Sequence, residues 1–365
     1  MQERTDEIVA PLRIGMVAPL YESVPPKLYG GTERVVSFLT EELVRLGMDV
    51  TLFASGDSVT DARLRAGAPR GLRLDANCHD RLAPHFAMIH DVMEWADEFD
   101  VIHFHLDYLH FPMSRALGLT QVTTLHGRLD FPELVPLYRR FDDMPLVSIS
   151  EAQRKPLGFA NWVATVHHGL PENLLPFSPR HGGYLAFLGR MSKEKRPDRA
   201  IRIARDAGLP LRIAAKVDAT DLAYFESVIE PLLAGEGVEF VGEIGDRDKG
   251  AFLGGAAALL CPIDWPEPFG LVVIEALACG TPVIAYPGGS IPELVRDGVN
   301  GRIVTSEAEA IAAVREIDQI DRALCRRDFE ERFSARRMAR DYLRVYHGLV
   351  AAAGATPPVG VRPSA

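Results

Sequence analysis

Two glutamates eight residues apart, Glu267 and Glu275, flank a turn in WPEPFGLVVIEALACGTPVI (265–284), where a Pro-bracketed loop runs into an amphipathic helix. Gly280 and Pro282 supply the stop signal for that helix. The unpaired backbone N–H groups of Phe269, Gly270 and Leu271 at its start favour a phosphate, through hydrogen bonds and the helix dipole. Carboxylates repel phosphate, so their partners in such a site are hydroxyls. Glu275, about one and a half turns into the helix, can accept from a ribose, and Glu267 from a sugar.

A matching set of cations lies upstream. The run YLAFLGR ends in Gly189-Arg190 and continues MSKEKRPDRAI, with Lys195 five residues beyond Arg190. A guanidinium fork and an ammonium at a strand's carboxyl end can hold two phosphates and stabilise a departing diphosphate. Lys193 and Arg196 read as solvated, and Lys216 reads either as a second basic contact or as a partner of Asp218. Near the amino terminus, Gly30-Gly31-Thr32 precedes an amphipathic helix, where the missing side chains let a ligand approach the backbone. A plain turn capped by Thr32 is the alternative. DVIHFHL puts His103 and His105 on one side of a strand, and His126 ends the next in TTLHGRLD. His-x-His is a metal-ligand spacing, but no acidic cluster accompanies it. His103 reads as buried structure, and His105 as either core or acceptor cleft. Ser150 in SISEAQR reads as a helix N-cap with Gln153 closing a capping box, with a cleft-facing role as the alternative.

The segment PEPFGLVVIEALACGTPVIA with the following GGSIPELVRDGVNGRIV resembles the nucleotide-sugar site of the retaining glycosyltransferases of family 4, which have the GT-B fold. The segment around YGGTE resembles the branch that includes a glycosyltransferase of avilamycin-type antibiotic assembly. The resemblance implies transfer of a hexose from a nucleotide-diphosphate sugar, with a UDP-sugar favoured over a GDP-sugar, to the hydroxyl of a small-molecule or glycan acceptor. It implies retention and no requirement for a metal or other cofactor; because no residue declares itself as a covalent nucleophile, a front-face path is expected. Arg190 and Lys195 match the family's phosphate-binding pair, and His126 would contact the transferred sugar. Gly242, Glu243 and Ile244 would line the nucleoside base. The loop of Gly30 and Gly31 would face the donor diphosphate and the acceptor.

Those residues need a scaffold, and short β-rich runs alternating with helical patterns predict an α/β protein with parallel sheets. One series, LRIGMVAP, DVTLFAS, DVIHFH, QVTTLH, PLVSIS and NWVATVHH, is followed by a second: YLAFLGR, LRIAAK, VEFVGE, ALLCPI, PVIAY and GRIV. The expected architecture is two doubly wound, Rossmann-like domains facing a cleft. Residues 1–172 form the acceptor-side domain, 173–183 a linker rich in Pro and Gly, and 184–335 the nucleotide-sugar domain. Residues 336–351 form a helix packing back on the first domain, as the resemblance implies, and 352–365 a disordered tail. Open sheets of this kind bind ligands beyond the carboxyl ends of their strands, where the residues above fall.

Composition excludes several classes. Among 365 residues the net charge is −10, concentrated in the first half, which argues against nucleic acid and against an electrostatic membrane anchor there. Arg63, Arg65, Arg70 and Arg73 form a local exception that reads as an exposed loop. The four cysteines lack metal or disulfide spacing, and a reducing cytoplasm is expected. MQERTDEIVAPLR has no apolar signal-peptide core, and no apolar run approaches the roughly 20 residues that span a bilayer. The rival readings are a nucleotide-sugar epimerase of the same fold, an inactive nucleotide-sugar-binding protein and a metal hydrolase. Variable loops at 56–98 and 106–115 are expected to build the acceptor cleft.

Overall fold

The computed structural model describes residues 11–27, 30–73 and 75–355. Strands β1 (Arg13–Val17), β2 (Asp49–Ser55), β3 (Arg63–Ala68), β4 (Val101–Phe104), β5 (Gln121–Thr124), β6 (Leu146–Ser148) and β7 (Trp162–Thr165) form one sheet. Its order is β3-β2-β1-β4-β5-β6-β7, with all the paired neighbours parallel. Strands β8 (Tyr184–Arg190), β9 (Leu211–Lys216), β10 (Val238–Gly242), β11 (Ala256–Cys261), β12 (Val283–Ala285) and β13 (Gly301–Ile303) form the second. Its order, β10-β9-β8-β11-β12-β13, is parallel too and repeats the doubly wound plan. In each sheet the winding reverses beside the first strand, which opens a crevice at the carboxyl ends.

The apolar runs become strands because both faces are covered. Ile14, Met16, Leu52 and Val101 pack with residues of the helix Gly31–Arg45 on one side of the first sheet, while Val17, Phe53, Ile102 and Phe104 meet Met88 and Ile89 on the other. The last helix, Ala335–Ala355, buries Met338, Ala339, Tyr342 and Tyr346 in the first domain's core. It takes in residues 352–355, which the sequence reading assigns to a disordered tail; residues 356–365 lie outside the described residues. The chain therefore passes between the sheets twice, and the passages are joined: Leu170 N–H donates to Phe333 O at 2.9 Å and Ala335 N–H to Leu170 O at 2.8 Å.

The segment 56–98 departs from the expected loop. It contains β3 and the helix Leu82–Glu94, and a shorter helix, Phe111–Leu117, occupies the other expected loop. Of the basic cluster, Arg63 and Arg65 sit on the edge strand, where alternate side chains reach Asp49 at 2.6 Å and the Trp95 ring at 3.4 Å. Charged side chains on an edge strand discourage further pairing, and their polarity hides the strand from a reading based on apolar runs. Arg73 pairs at 3.0 Å with the buried Glu22.

Candidate active site

The Glu267–Glu275 segment turns where Gly270, at φ +93°, adopts the left-handed conformation that glycine tolerates, and the helix Leu271–Ala278 follows. Glu267 is held from beneath by the turn at Gly289. That residue has φ +57°, and a Cβ on it would fall 2.2 Å from Glu267 O. Ser290 N–H donates to Glu267 O at 2.9 Å, and Ser290 Oγ donates to Phe269 O at 2.5 Å. GGS, which as a sequence is equally a cleft wall or a simple turn, thus braces the loop that carries Glu267.

Lys195 Nζ donates to Glu267 Oε2, and Trp265 Nε1 donates to the same oxygen at 3.0 Å. The Lys195 ammonium also lies 4.8 Å from the Trp265 ring centre, a cation–π distance. Arg190, ending β8, has Glu194 at 3.3 Å, Asp221 at 3.8 Å and Asp218 at 3.9 Å. Lys216 pairs with Asp218 at 2.8 Å. Arg196 braces the loop between Asp198 at 3.0 Å and Asp264 at 2.9 Å, so it is not the solvated side chain expected from its sequence context.

Glu275 has a partner that sequence reasoning missed. Lys249 Nζ reaches Glu275 Oε1 at 2.7 Å and Asp246 at 3.4 Å. Lys249 lies on the helix Asp246–Gly254, directly after β10, so applying the strand-end rule to every cation would have found it. Asp246 also pairs with Arg34 from the first domain. Gly242, with φ +78°, Glu243 and Ile244 form the turn between β10 and this helix; the Glu243 side chain is exposed and Ile244 packs partly on the core.

From the first domain, Gly30 and Gly31 open the helix Gly31–Arg45 with Gly30, not Thr32, at the N-cap. A Cβ on Gly31 would stand 3.6 Å from Leu271 Cδ1, so this turn faces the start of the second domain's helix. Ser150 is the N-cap, but Gln153 does not close a capping box on it, because its Oε1 accepts from Ile149 N–H at 2.9 Å. Ser150 Oγ accepts from Gln153 N–H at 3.0 Å and donates across the cleft to Pro268 O at 2.7 Å. Gln153 donates to Leu125 O at 2.8 Å and Gly127 O at 2.9 Å, which fixes the backbone on both sides of His126. Glu293 accepts from Glu151 N–H and Ala152 N–H, each at 2.8 Å, and contacts His167 Nε2 at 3.0 Å. Burial opposes the charge on Glu293, yet these donors prevail and hold its pKa below the ordinary range.

The histidines form a packed cluster. His103 is enclosed by Tyr346 Oη and Thr124 Oγ1, each at 2.7 Å. His105 Nδ1 lies 2.8 Å from His126 Nε2, and His126 stacks on His168 with ring centres 5.2 Å apart. Burial pushes the His126 pKa down to about 3, and burial with neighbouring imidazoles lowers those of His103, His105 and His168. Among the described residues no three His, Cys, Asp or Glu side chains are arranged to hold a metal ion. No helix of the described residues is long and apolar enough to cross a membrane.

Residues 29–152 match the family described as Glycosyltransferase Family 4, and residues 178–334 match Glycosyl transferases group 1. D-inositol 3-phosphate glycosyltransferase of Mycobacterium tuberculosis is 35% identical over 125 residues, which cover 33% of this chain and 26% of that protein. The aligned stretch thus spans about a quarter of the length of the curated relatives it matches. AviGT4, a glycosyltransferase involved in avilamycin A biosynthesis, superposes with TM-score 0.71 at 23% identity, over 93% of this chain and 98% of its own. Anabaena HepE, solved with UDP and glucose, gives 0.70 at 16% identity, over 92% and 100%. Sucrose-phosphate synthase from Thermosynechococcus elongatus gives 0.74 at 17% identity, over 93% and 100%. At these identities the structural likenesses establish a shared GT-B fold.

Proposed function

Because this chain belongs to the family 4 type of GT-B glycosyltransferases, we propose that it moves a hexose from a nucleotide-diphosphate sugar to an acceptor hydroxyl, with retention of configuration and without a metal ion. The observation that carries this reading is the meeting of Lys195 with Glu267 beside the helix start at Leu271, with Glu275 deeper along the same helix paired to Lys249 of the helix Asp246–Gly254. One wall of the cleft then offers cations and helix N–H groups to a diphosphate, and carboxylates to hydroxyls.

As the glycosidic C–O bond breaks, charge builds on the leaving diphosphate, and Lys195 and Arg190 offset it. Glu267, braced by Trp265 and the Gly289 turn, accepts from hexose hydroxyls. Glu275 accepts from the ribose, and the turn of Gly242, Glu243 and Ile244 receives the base. The leaving phosphate takes the proton of the attacking acceptor on the same face of the sugar. Closure between Gly31 and Leu271, and between Ser150 and Pro268, excludes water as a competing acceptor. UDP is the first nucleotide to test because HepE, of the same fold, holds it.

Thermal unfolding against UDP, GDP, ADP and dTDP, each with and without chelator, tests the donor site. A ligand at about 100 times its Kd stabilises the fold by roughly 2.7 kcal/mol. A selective, chelator-insensitive rise in Tm is expected. No rise with any nucleotide overturns the donor assignment, and a rise abolished by chelator overturns metal independence. Nuclear magnetic resonance of the transfer product then tests retention, which an inverted anomer would exclude.

A further inference from the structure

We infer that Met16 and His105 fix the tautomer of His126, leaving a bare Nδ1 lone pair that accepts a hydroxyl of the bound sugar. The parts come from three adjacent strands of the first sheet, β1, β4 and β5. Met16 on β1 is in register with His103 on β4, and His105 N–H donates to Val17 O at 2.9 Å. This seats the His105 ring with Nε2 3.1 Å from Met16 Sδ. His126 lies two residues beyond the end of β5, with its Nε2 against His105 Nδ1.

A thioether sulfur only accepts, so the His105 nitrogen facing it carries the hydrogen. In neutral His105 the other nitrogen, Nδ1, is then bare and must receive a hydrogen from His126 Nε2. A neutral His126 with its hydrogen on Nε2 has Nδ1 free to accept. That atom is not among the buried polar atoms left unpartnered, and His126 is only half-buried, so it lies within reach of the cleft. The surroundings maintain neutrality: His103 lies 4.1 Å from the His105 ring, His168 covers His126, and Arg337 adds positive charge near His168. His105 and Met16 are positioning residues in this scheme. Their effect is chemical selectivity, because a neutral acceptor welcomes a hydroxyl and gives no counter-charge to a carboxylate on the sugar.

The tautomer part needs no substrate and stands apart from the transferase reading; the hydroxyl part rests on it. Full-length protein labelled with 15N-histidine gives ring-nitrogen shifts that separate bare from protonated positions, with signals assigned by their loss in His126→Asn and His105→Asn. At pH 7 the expected pattern is a proton on Nε2 of both rings. A proton on His126 Nδ1, or an imidazolium there, overturns the inference. Met16→Leu keeps the core volume and removes the acceptor. It should bring the second tautomer of His105 and His126 to at least roughly a tenth of the molecules, a tenfold weakening of the bias. An unchanged pattern in that variant overturns the lock even if Tm falls, since packing alone does not choose a tautomer. UDP-glucose, if it raises Tm, should also move the His126 Nδ1 signal; stabilisation with no such movement overturns the acceptor role.

Discussion

On the second domain's side of the cleft, Arg190, Lys195 and Lys249 each lie against carboxylates, whereas on the first domain's side His105, His126 and His168 pack ring against ring. The first arrangement keeps full charges by pairing each cation with a carboxylate, although Glu267 and Glu275 are largely buried. A diphosphate can take the ammonium of Lys195 from Glu267, and the carboxylate so released can accept a sugar hydroxyl. The second arrangement removes charge altogether, since burial holds the imidazoles neutral, and it offers directional hydrogen bonds instead. On the proposed reading, one wall responds to the developing charge of a leaving group, and the other holds an uncharged ring in place.

The strongest way to break this division is Lys195→Ala. Loss of a preorganised cation at a leaving group should lower kcat by about 10²- to 10³-fold while the protein remains folded. An undiminished rate with the stabilising nucleotide sugar would remove Lys195 from the mechanism.

The neutral wall predicts a pH effect on stability. His126 titrates at about 3 in the fold and near 6.5 unfolded, so between those values the unfolded chain binds more protons. Its stabilising contribution is complete above about pH 6.5 and is lost as pH falls, by up to about 1.4 kcal/mol per pH unit. Urea unfolding at pH 5, 6 and 7 should show wild type losing stability faster than His126→Gln. Parallel pH profiles would contradict a neutral ring at this site.

A double-mutant cycle sharpens the charged wall. Glu275→Gln and Lys249→Met should each weaken nucleotide binding, with a coupling of about 1–3 kcal/mol because each leaves the other's group unpaired in a partly buried place. Additive effects, measured by calorimetry, would mean that the two act separately on the ligand. The smallest effect is expected at the domain contact. Arg34→Met removes a partner of Asp246, which is partly exposed, and should change Tm or donor KM by at most about 1 kcal/mol in equivalent free energy.

Much of the scaffold was legible because its signals are local. DVTLFAS and LRIAAK coincide with β2 and β9 residue for residue, since apolar runs bounded by turn residues read directly as buried parallel strands. β3 was not legible, because an edge strand studded with arginine lacks that pattern. Within the site, Glu267, Glu275, Arg190 and Lys195 stood out by type and spacing. Lys249, although it follows a strand end, did not stand out, because its pairing depends on Glu275, 26 residues away.

The sequence by itself determined two doubly wound domains, and a glycine-turned helix start flanked by carboxylates, because helix signals, strand runs and turn residues act over a few positions. Only the tertiary structure decided which cation meets which carboxylate, that Ser150 reaches Pro268, and that Met16, His105 and His126 form a line across three strands. Those pairings depend on strand order and domain closure. Parallel strands joined by helices bring together residues far apart in the chain, and spacing along the chain does not encode that distance.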